Sequence, residues 1–363
     1  MKKLSLGLMS GTSADGLSIA AVCVKPFKVA AFKTYPFGVK MQNEILNARN
    51  LDARALSRLS FRLGVFYAGR VEKFCREFKI NYKDIAVIGS HGQTVGHWPG
   101  DRPGHTLQIG EASFLAEKTG VPVVCDFRPR DMAAGGCGAP LIPFFDEYVF
   151  GRGAPRLLLN IGGIANVTVT GRGVKTAGFD TGPGNCLMDA AVALVSRGKK
   201  TFDFNGLMAA RGRADEDKLK VLLGDPYFKK PFPKSLDRAY FDMNFLRARG
   251  IKPSRENICD TLALLNLFTA ESAAGQIKKL KSFAREVILS GGGALNPVLR
   301  ENIKRVLPGY KISVSSAYGL DELAREPACF AVLAKLALDG VSNHCPAATG
   351  ARGARVLGKI IPG

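Results

Sequence analysis

Two stretches share one pattern, and that pattern limits the folds open to the chain. "LSLGLMSGTSADGLSIAAVCV" (residues 4–24) and "RLLLNIGGIANVTVTG" (156–171) each place a short polar, glycine-bearing turn between two apolar runs. Apolar and β-branched runs bounded by Gly, Ser and Asp read as β-hairpins. Their recurrence in the two halves reads as a weak internal repeat. A third stretch, "EVILSGGGALNPVLRENIKRVL" (286–307), runs from a strand into three glycines. Helical spacing follows, from Leu295 through Val298, Leu299 and Ile303 to Val306. A strand, a glycine loop and a helix start together present backbone N–H groups to an anion.

Helical patterns lie between these stretches. Residues 42–79 carry amphipathic spacing (Leu59, Leu63, Phe66, Val71). Residues 258–283 read as one long, mostly buried helix, and "EPACFAVLAKLALDG" as another, ended by Gly340. Strands alternating with helices mean an α/β protein with mixed sheets. A chain of 363 residues suits two domains. "RPRDMAAGGCGAP" breaks all periodicity, which places the boundary within 127–153. The expected division is 1–130 with a returning strand from 341–363, and 131–340.

Composition excludes several classes. No apolar run approaches the roughly 18 to 20 residues of a membrane helix. The opening "MKKLSLGLMS" has too short an apolar run for a secretory signal and reads as a first strand in a cytoplasmic protein. The eight cysteines form no CxxC pair, so free thiols in a reducing compartment are expected and a structural zinc site is not. The formal net charge is +20. The basic residues are scattered, with short pairs such as Lys199-Lys200 and Lys278-Lys279, and no nucleic-acid motif accompanies them. The charge suits a solvated surface and an anionic small substrate.

Four stretches carry candidate chemistry. In "MSGTSADG", Gly11, Thr12, Ser13 and Gly16 offer amides and small hydroxyls to a polyphosphate, and Asp15 the water shell of a magnesium ion. No GK[ST] follows, so this is not a Walker loop, and an ordinary tight turn reads equally well. "GSHGQTVGHWPG" follows the strand "DIAVI", which puts His91, Gln93 and Thr94 at its C-terminal end; His97, Trp98 and His105 read as loop. "DFRPRDMAAGGCGAP" packs Arg128 and Arg130 beside Asp126 and Asp131, either as ion pairs or as a fork for a substrate anion, with the second preferred. In "GFDTGPGNCLMDAA" the strand is expected to end at Asp180, with Asn185 capping the helix that follows. That leaves Asp180 for work as a general base, although a helix cap is the plainer role.

Together these motifs resemble the bacterial anhydro-N-acetylmuramic acid kinases. The family pattern stands in order at residues 7–16, 90–94, 106–110, 126–136, 160–166, 178–185, 232–235 and 290–294, across essentially the whole chain. The resemblance implies the actin-like ATPase and sugar-kinase fold, with two related domains around a central cleft. It implies ATP and Mg2+ as cofactors, the phosphates held by residues 11–18 (Gly11, Thr12, Ser13, Ala14, Asp15, Gly16, Leu17, Ser18) and by Gly162 and Gly163. Gly291, Gly292, Gly293 and Asn296 would lie toward the adenosine. It implies Asp180 as catalytic base and His91, Gln93, Thr94, Arg128, Arg130 and Glu326 on the sugar side. The implied reaction opens 1,6-anhydro-N-acetylmuramic acid with water and phosphorylates its 6-oxygen, in a cytoplasmic homodimer with no nucleic-acid or membrane partner. Other readings are a kinase of another amino sugar and an ATP-driven switch protein. The chain departs from the family pattern at Ser18, where aspartate is usual, at Cys137, at 236–239, at Leu295 and through a shortened 315–326.

Overall fold

A computed structural model describes residues 3–11, 13–232, 234–236, 240–280 and 284–363. They form two compact units, Met1–Phe145 with Gly319–Gly363, and Asp146–Tyr318.

In the first unit, β1 (Leu4–Ser10) and β2 (Gly16–Cys23) form the expected hairpin, and β3 (Lys28–Pro36) adds antiparallel to β2. The chain then crosses over, so that β4 (Ile85–Trp98) lies parallel to β1. β5 (His105–Ile109) folds back on β4, and β6 (Val123–Cys125) pairs parallel to β4. Strands β1 and β4 are buried almost throughout, as parallel strands covered on both faces must be. The helix Ala53–Glu77 packs Leu59, Leu63, Val71 and Phe74 into this core. Its start is set by Asp52, whose carboxylate accepts from Ala55 N at 2.7 Å.

In the second unit, β7 (Arg156–Ile161), β8 (Ile164–Gly171) and β9 (Val174–Pro183) form an antiparallel meander. β10 (Glu286–Ser290) and β11 (Lys311–Val314) continue it in parallel from β7. The helix Ile258–Lys279 is buried nearly all round. Its C-terminal half (Ala270, Ala273, Ala274, Ile277) packs with sheet residues Leu157, Leu159 and Val287. Its N-terminal half meets the aromatic group Phe228, Phe241 and Phe245. β12 (Lys359–Ile361) closes the chain, antiparallel to β6 in the first sheet, as expected of the "RVLGKII" strand.

The sheet orders are β12-β6-β4-β1-β2-β3, with β5 on β4, and β11-β10-β7-β8-β9. From the meander outward the two match: third, second, first, then two further parallel strands. This duplicated α/β sheet is the arrangement that the actin-like sugar-kinase resemblance implied.

Several details differ from the sequence reading. The helix Arg325–Leu338, expected in the second domain, lies in the first unit. Gly7 and Gly89 let it rest on the backbone of β1 and β4: a Cβ on Gly7 would lie 1.8 Å from Pro327 O, and one on Gly89 2.1 Å from Phe330 O. The divisions therefore fall at 145/146 and 318/319 rather than at 130/131 and 340/341. Residues 127–153 hold two helices, Phe127–Ala133 and Ile142–Phe150, because Arg, Met and aromatic residues outweigh the glycines beside them. His97, Trp98 and His105 belong to the β4–β5 hairpin, where Trp98 stacks on His105 at 4.8 Å. Among the described residues, no helix is long and apolar enough to cross a membrane. None of the eight cysteines, all among the described residues, is in a disulfide.

Candidate functional site

Asp180 lies within β9, which runs on to Pro183 rather than ending at the acid. Asn166 pairs with Asp180 and Ala165 with Gly182, so Thr181 forms a bulge, held by its hydroxyl donating to Ala165 O at 3.1 Å. Asp180 is partly buried, and burial pushes its carboxyl up to about 6, while Leu236 N–H, donating to Oδ2 at 2.8 Å, pulls it the other way. A carboxylate poised there can take a proton near neutrality. Asn185 does not cap the following helix with its side chain. Its Nδ2 donates instead to Ile161 O at 3.3 Å.

Three glycine turns converge beside β9. Asn185 N donates to Gly162 O at 2.7 Å, and Gly184 N and Cys186 N donate to Gly163 O. A Cβ on Gly293 would lie 2.3 Å from Ile161, and one on Gly291 2.7 Å from Ile161 O. These glycines, like Gly184, serve close packing. Gly162 and Gly292 differ: the nearest atoms to a Cβ stand 3.6 Å away in each case. The chain itself does not require glycine there, whereas a phosphate approaching the backbone would. Asn296 caps the helix Pro297–Val306 through Val298 N and Leu299 N, so its oxygen is committed to the fold.

In the first unit, Gly11 is open in the same sense: among the described residues the nearest atom to a Cβ there is Ser13 Oγ, at 3.8 Å. Ala14 is buried in the left-handed conformation, φ 53°. Gly16 is required by strand crowding, since a Cβ there would lie 2.4 Å from Tyr35 O. Leu17 belongs to the core and Ser18 bonds Thr34 across the sheet at 2.8 Å, so neither side chain is available to phosphate. Asp15 accepts from Gln42 Nε2 at 3.4 Å. Thr12 lies outside the described residues, as do Pro233 of the "FPKS" motif and residues 237–239. Gln93 is buried; Ser10 donates to its Oε1, and its Nε2 reaches Gly11 O at 3.2 Å. It ties β4 to the glycine turn. Thr94 accepts from Gln108 at 3.4 Å.

His91, Arg128 and Glu326 form a second group in this unit. Arg128 donates to His91 Nε2 from Nε at 3.1 Å and from Nη2 at 2.9 Å, and to Gly138 O from Nη1 at 2.9 Å. With Nε2 accepting, His91 carries its proton on Nδ1, which bonds Gly92 O at 2.9 Å. Burial and then the Arg128 charge push His91 down to about 3, so it is neutral. Among the described residues, three of the five Arg128 N–H donors have partners and two do not. Burial raises the Glu326 carboxyl, against the charges of Arg325 and Arg128. Arg130 is exposed on the helix Phe127–Ala133 and stands apart from this group. The ion-pair alternative fails for Arg128: Asp126 pairs with Lys359 at 2.8 Å, and buried Asp131 binds Gly138 N, Thr349 and His344.

The sequence reading missed Leu236, Lys234 and Tyr227, all beside Asp180. Only the "FPKS" motif pointed toward them. Among the described residues no group of three or more His, Cys, Asp or Glu could hold a metal ion. Magnesium that keeps its waters and binds phosphate needs fewer protein ligands, and Asp15 remains compatible with that.

The anhydro-N-acetylmuramic acid kinase family model matches residues 3–363. The anhydro-N-acetylmuramic acid kinase of Xanthomonas axonopodis pv. citri is 39% identical, covering 99% of this chain and 98% of its own. That of Caldanaerobacter subterraneus subsp. tengcongensis is 37% identical, covering 99% and 97%. A solved structure of a Streptomyces griseus ROK family glucokinase in complex with glucose and AMPPNP is 13% identical, covering 92% of this chain and 99% of its own, with a TM-score of 0.40. The chain belongs to the anhydro-N-acetylmuramic acid kinase family.

Proposed function

We propose that this protein is an ATP-dependent kinase that opens 1,6-anhydro-N-acetylmuramic acid with water and phosphorylates its 6-oxygen. The observation that carries the reading is Asp180: a carboxylate raised to about 6 on a bulged strand, beside glycine turns whose open positions the fold does not itself demand. Asp180 takes a proton from water, and the water oxygen bonds to the anomeric carbon. The bond from that carbon to the bridging oxygen breaks. The freed 6-oxygen accepts the γ-phosphoryl group and ADP leaves. The product is N-acetylmuramic acid 6-phosphate, which places the enzyme in peptidoglycan recycling. Phosphoryl transfer needs mainly positioning and charge neutralisation. Gly11, Gly162 and Gly292 supply close backbone approach for the phosphates. The two remaining donors of Arg128 suit the lactyl carboxylate, with Glu326 beside it for a sugar hydroxyl. Magnesium would neutralise phosphate charge, and Asp15 is the residue suited to hold its waters. A cytoplasmic homodimer belongs to the same reading, its dimer testable by light scattering.

The deciding experiment uses isotope. Turnover in ¹⁸O-water, trapped before spontaneous anomeric exchange and set against an unlabelled control, should place the label on the anomeric hydroxyl and none in the phosphate. Phosphorylation of an ordinary amino sugar without anomeric label would instead make the protein a hydroxyl kinase, a conversion for which Ser18, Cys137 and Leu295 are the departures at hand.

A further inference from the structure

We propose that Tyr227 and Lys234 are positioning residues that hold the Asp180 carboxylate through a closed loop of hydrogen bonds on the open edge of β9; the inference rests on Asp180 being the base. β9 ends its sheet, so an outward-facing N–H or C=O on it has no ladder partner. At Asp180 the segment 227–236 provides both. Asp180 N donates to Lys234 O at 3.1 Å, and Tyr227 OH donates to Asp180 O at 2.6 Å. Leu236 N then reaches the carboxylate itself. The segment is locked on itself by Lys234 Nζ, which donates to Tyr227 O at 3.1 Å and to Gln276 Oε1 at 2.8 Å. The same ammonium lies 4.3 Å from the Tyr227 ring centroid. Phe232 stacks on Phe179 at 5.0 Å, pinning the segment one residue before the acid.

Two of the parts are buried. Tyr227 is 1% exposed, packed among Phe228 and Phe241, and burial holds its phenol protonated. Gln276 is buried on the long helix and donates to Phe228 O at 3.2 Å. Among the described residues, the ionisable groups facing this loop are Asp180 and Tyr240 at Tyr227, and Lys230 and Lys279 at Lys234. Burial and the two neighbouring lysines bring Lys234 down to about 8. The chemistry follows from Leu236 N–H, a donor that favours the ionised carboxylate. Loosen the segment and that donor drifts. Burial then acts unopposed, and Asp180 holds its proton to higher pH.

The test is the pH profile of kcat for wild type, Tyr227→Phe, Lys234→Met and Lys234→Arg, with Asp180→Asn alongside and KM for ATP measured throughout. Wild type should lose activity as pH falls through about 6. In Tyr227→Phe and Lys234→Met that limb should move up by about half to one pH unit and kcat should fall about tenfold, the worth of roughly one hydrogen bond. KM for ATP should hold, and Lys234→Arg should recover most of the loss. Folded variants with an unmoved limb overturn the proposal, whether kcat stays or falls, because a merely structural role lowers kcat without shifting it. Should Lys234→Met not fold, Tyr227→Phe, which keeps its ring in place, decides alone. Asp180→Asn separates the two readings. Retention of more than about a tenth of the rate defeats the base itself, whereas an inactive Asp180→Asn with wild-type limbs in the others defeats only this inference.

Discussion

Gly162 and Gly293 look alike in sequence, yet they answer to different forces. A side chain on Gly293 would strike Ile161 at 2.3 Å, so glycine there is a packing requirement. A Cβ on Gly162 would meet nothing nearer than Ile164 O at 3.6 Å. Gly162→Val should therefore fold with a melting temperature near that of wild type while raising KM for ATP about tenfold or more, since the side chain fills the space a phosphate would approach. Steady-state kinetics and a thermal melt check this together. An unchanged KM in the folded variant would move the nucleotide elsewhere. The residues around Asp180 show what the motif pattern hid. "GFDTGPGN" flagged the acid, but its raised pKa comes from burial, and its one carboxylate donor among the described residues is a backbone N–H of Leu236.

At the scale of elements, the first sheet and the helix Arg325–Leu338 form one packing unit. Gly7 on β1 and Gly89 on β4 present bare backbone, and the helix turn Pro327–Ala331 rests on it. Gly7→Ala would put a methyl carbon 1.8 Å from Pro327 O and 2.5 Å from Ala331 N, both backbone atoms that cannot swing aside. Denaturant unfolding should show a loss of about 2 kcal/mol or more, the upper range of core overpacking. Stability within 0.5 kcal/mol of wild type, about the scatter of neutral surface changes, would mean that the helix is not seated this way. The same contact carries Glu326 into the first unit, the unit that holds Arg128.

Across the whole molecule, acid acts on the two units through different groups. His91 takes its proton near 6.5 in an unfolded chain and near 3 when folded. Between those values the unfolded state binds more protons, so stability falls as pH falls. Glu286 resists burial through hydrogen bonds from Lys311, Tyr318 and Arg156, which hold it at about 2 against a usual 4.5, and its contribution disappears at lower pH still. Asp180 works in the opposite direction between about 6 and 3.8, because its folded form keeps the proton more tightly. His91→Gln removes the first of these. Thermal melts from pH 7 to pH 4 should show a shallower fall in Tm for His91→Gln than for wild type. Parallel curves would mean that His91 is not the group that makes the fold acid-labile.

The paired hairpins, the α/β class, the closing strand on the first sheet and the acid in "GFDTGPGN" are all legible in the chain of residues. These are readable because each is written in local terms: apolar alternation, turn residues and helical spacing act over a few neighbours. The rest depends on approach between distant segments, which local pattern does not record. Gly7 meeting Pro327 moved a helix from one unit to the other. Asn160 and Ile161 meeting Gly291 sorted packing glycines from open ones. Asn296 caps a helix and Gln93 braces Gly11, contacts that local sequence does not write. Asp180 owes its anchoring to Tyr227, Lys234 and Leu236, some fifty positions away along the chain, because an edge strand must find partners for its outward N–H and C=O groups wherever the fold brings them.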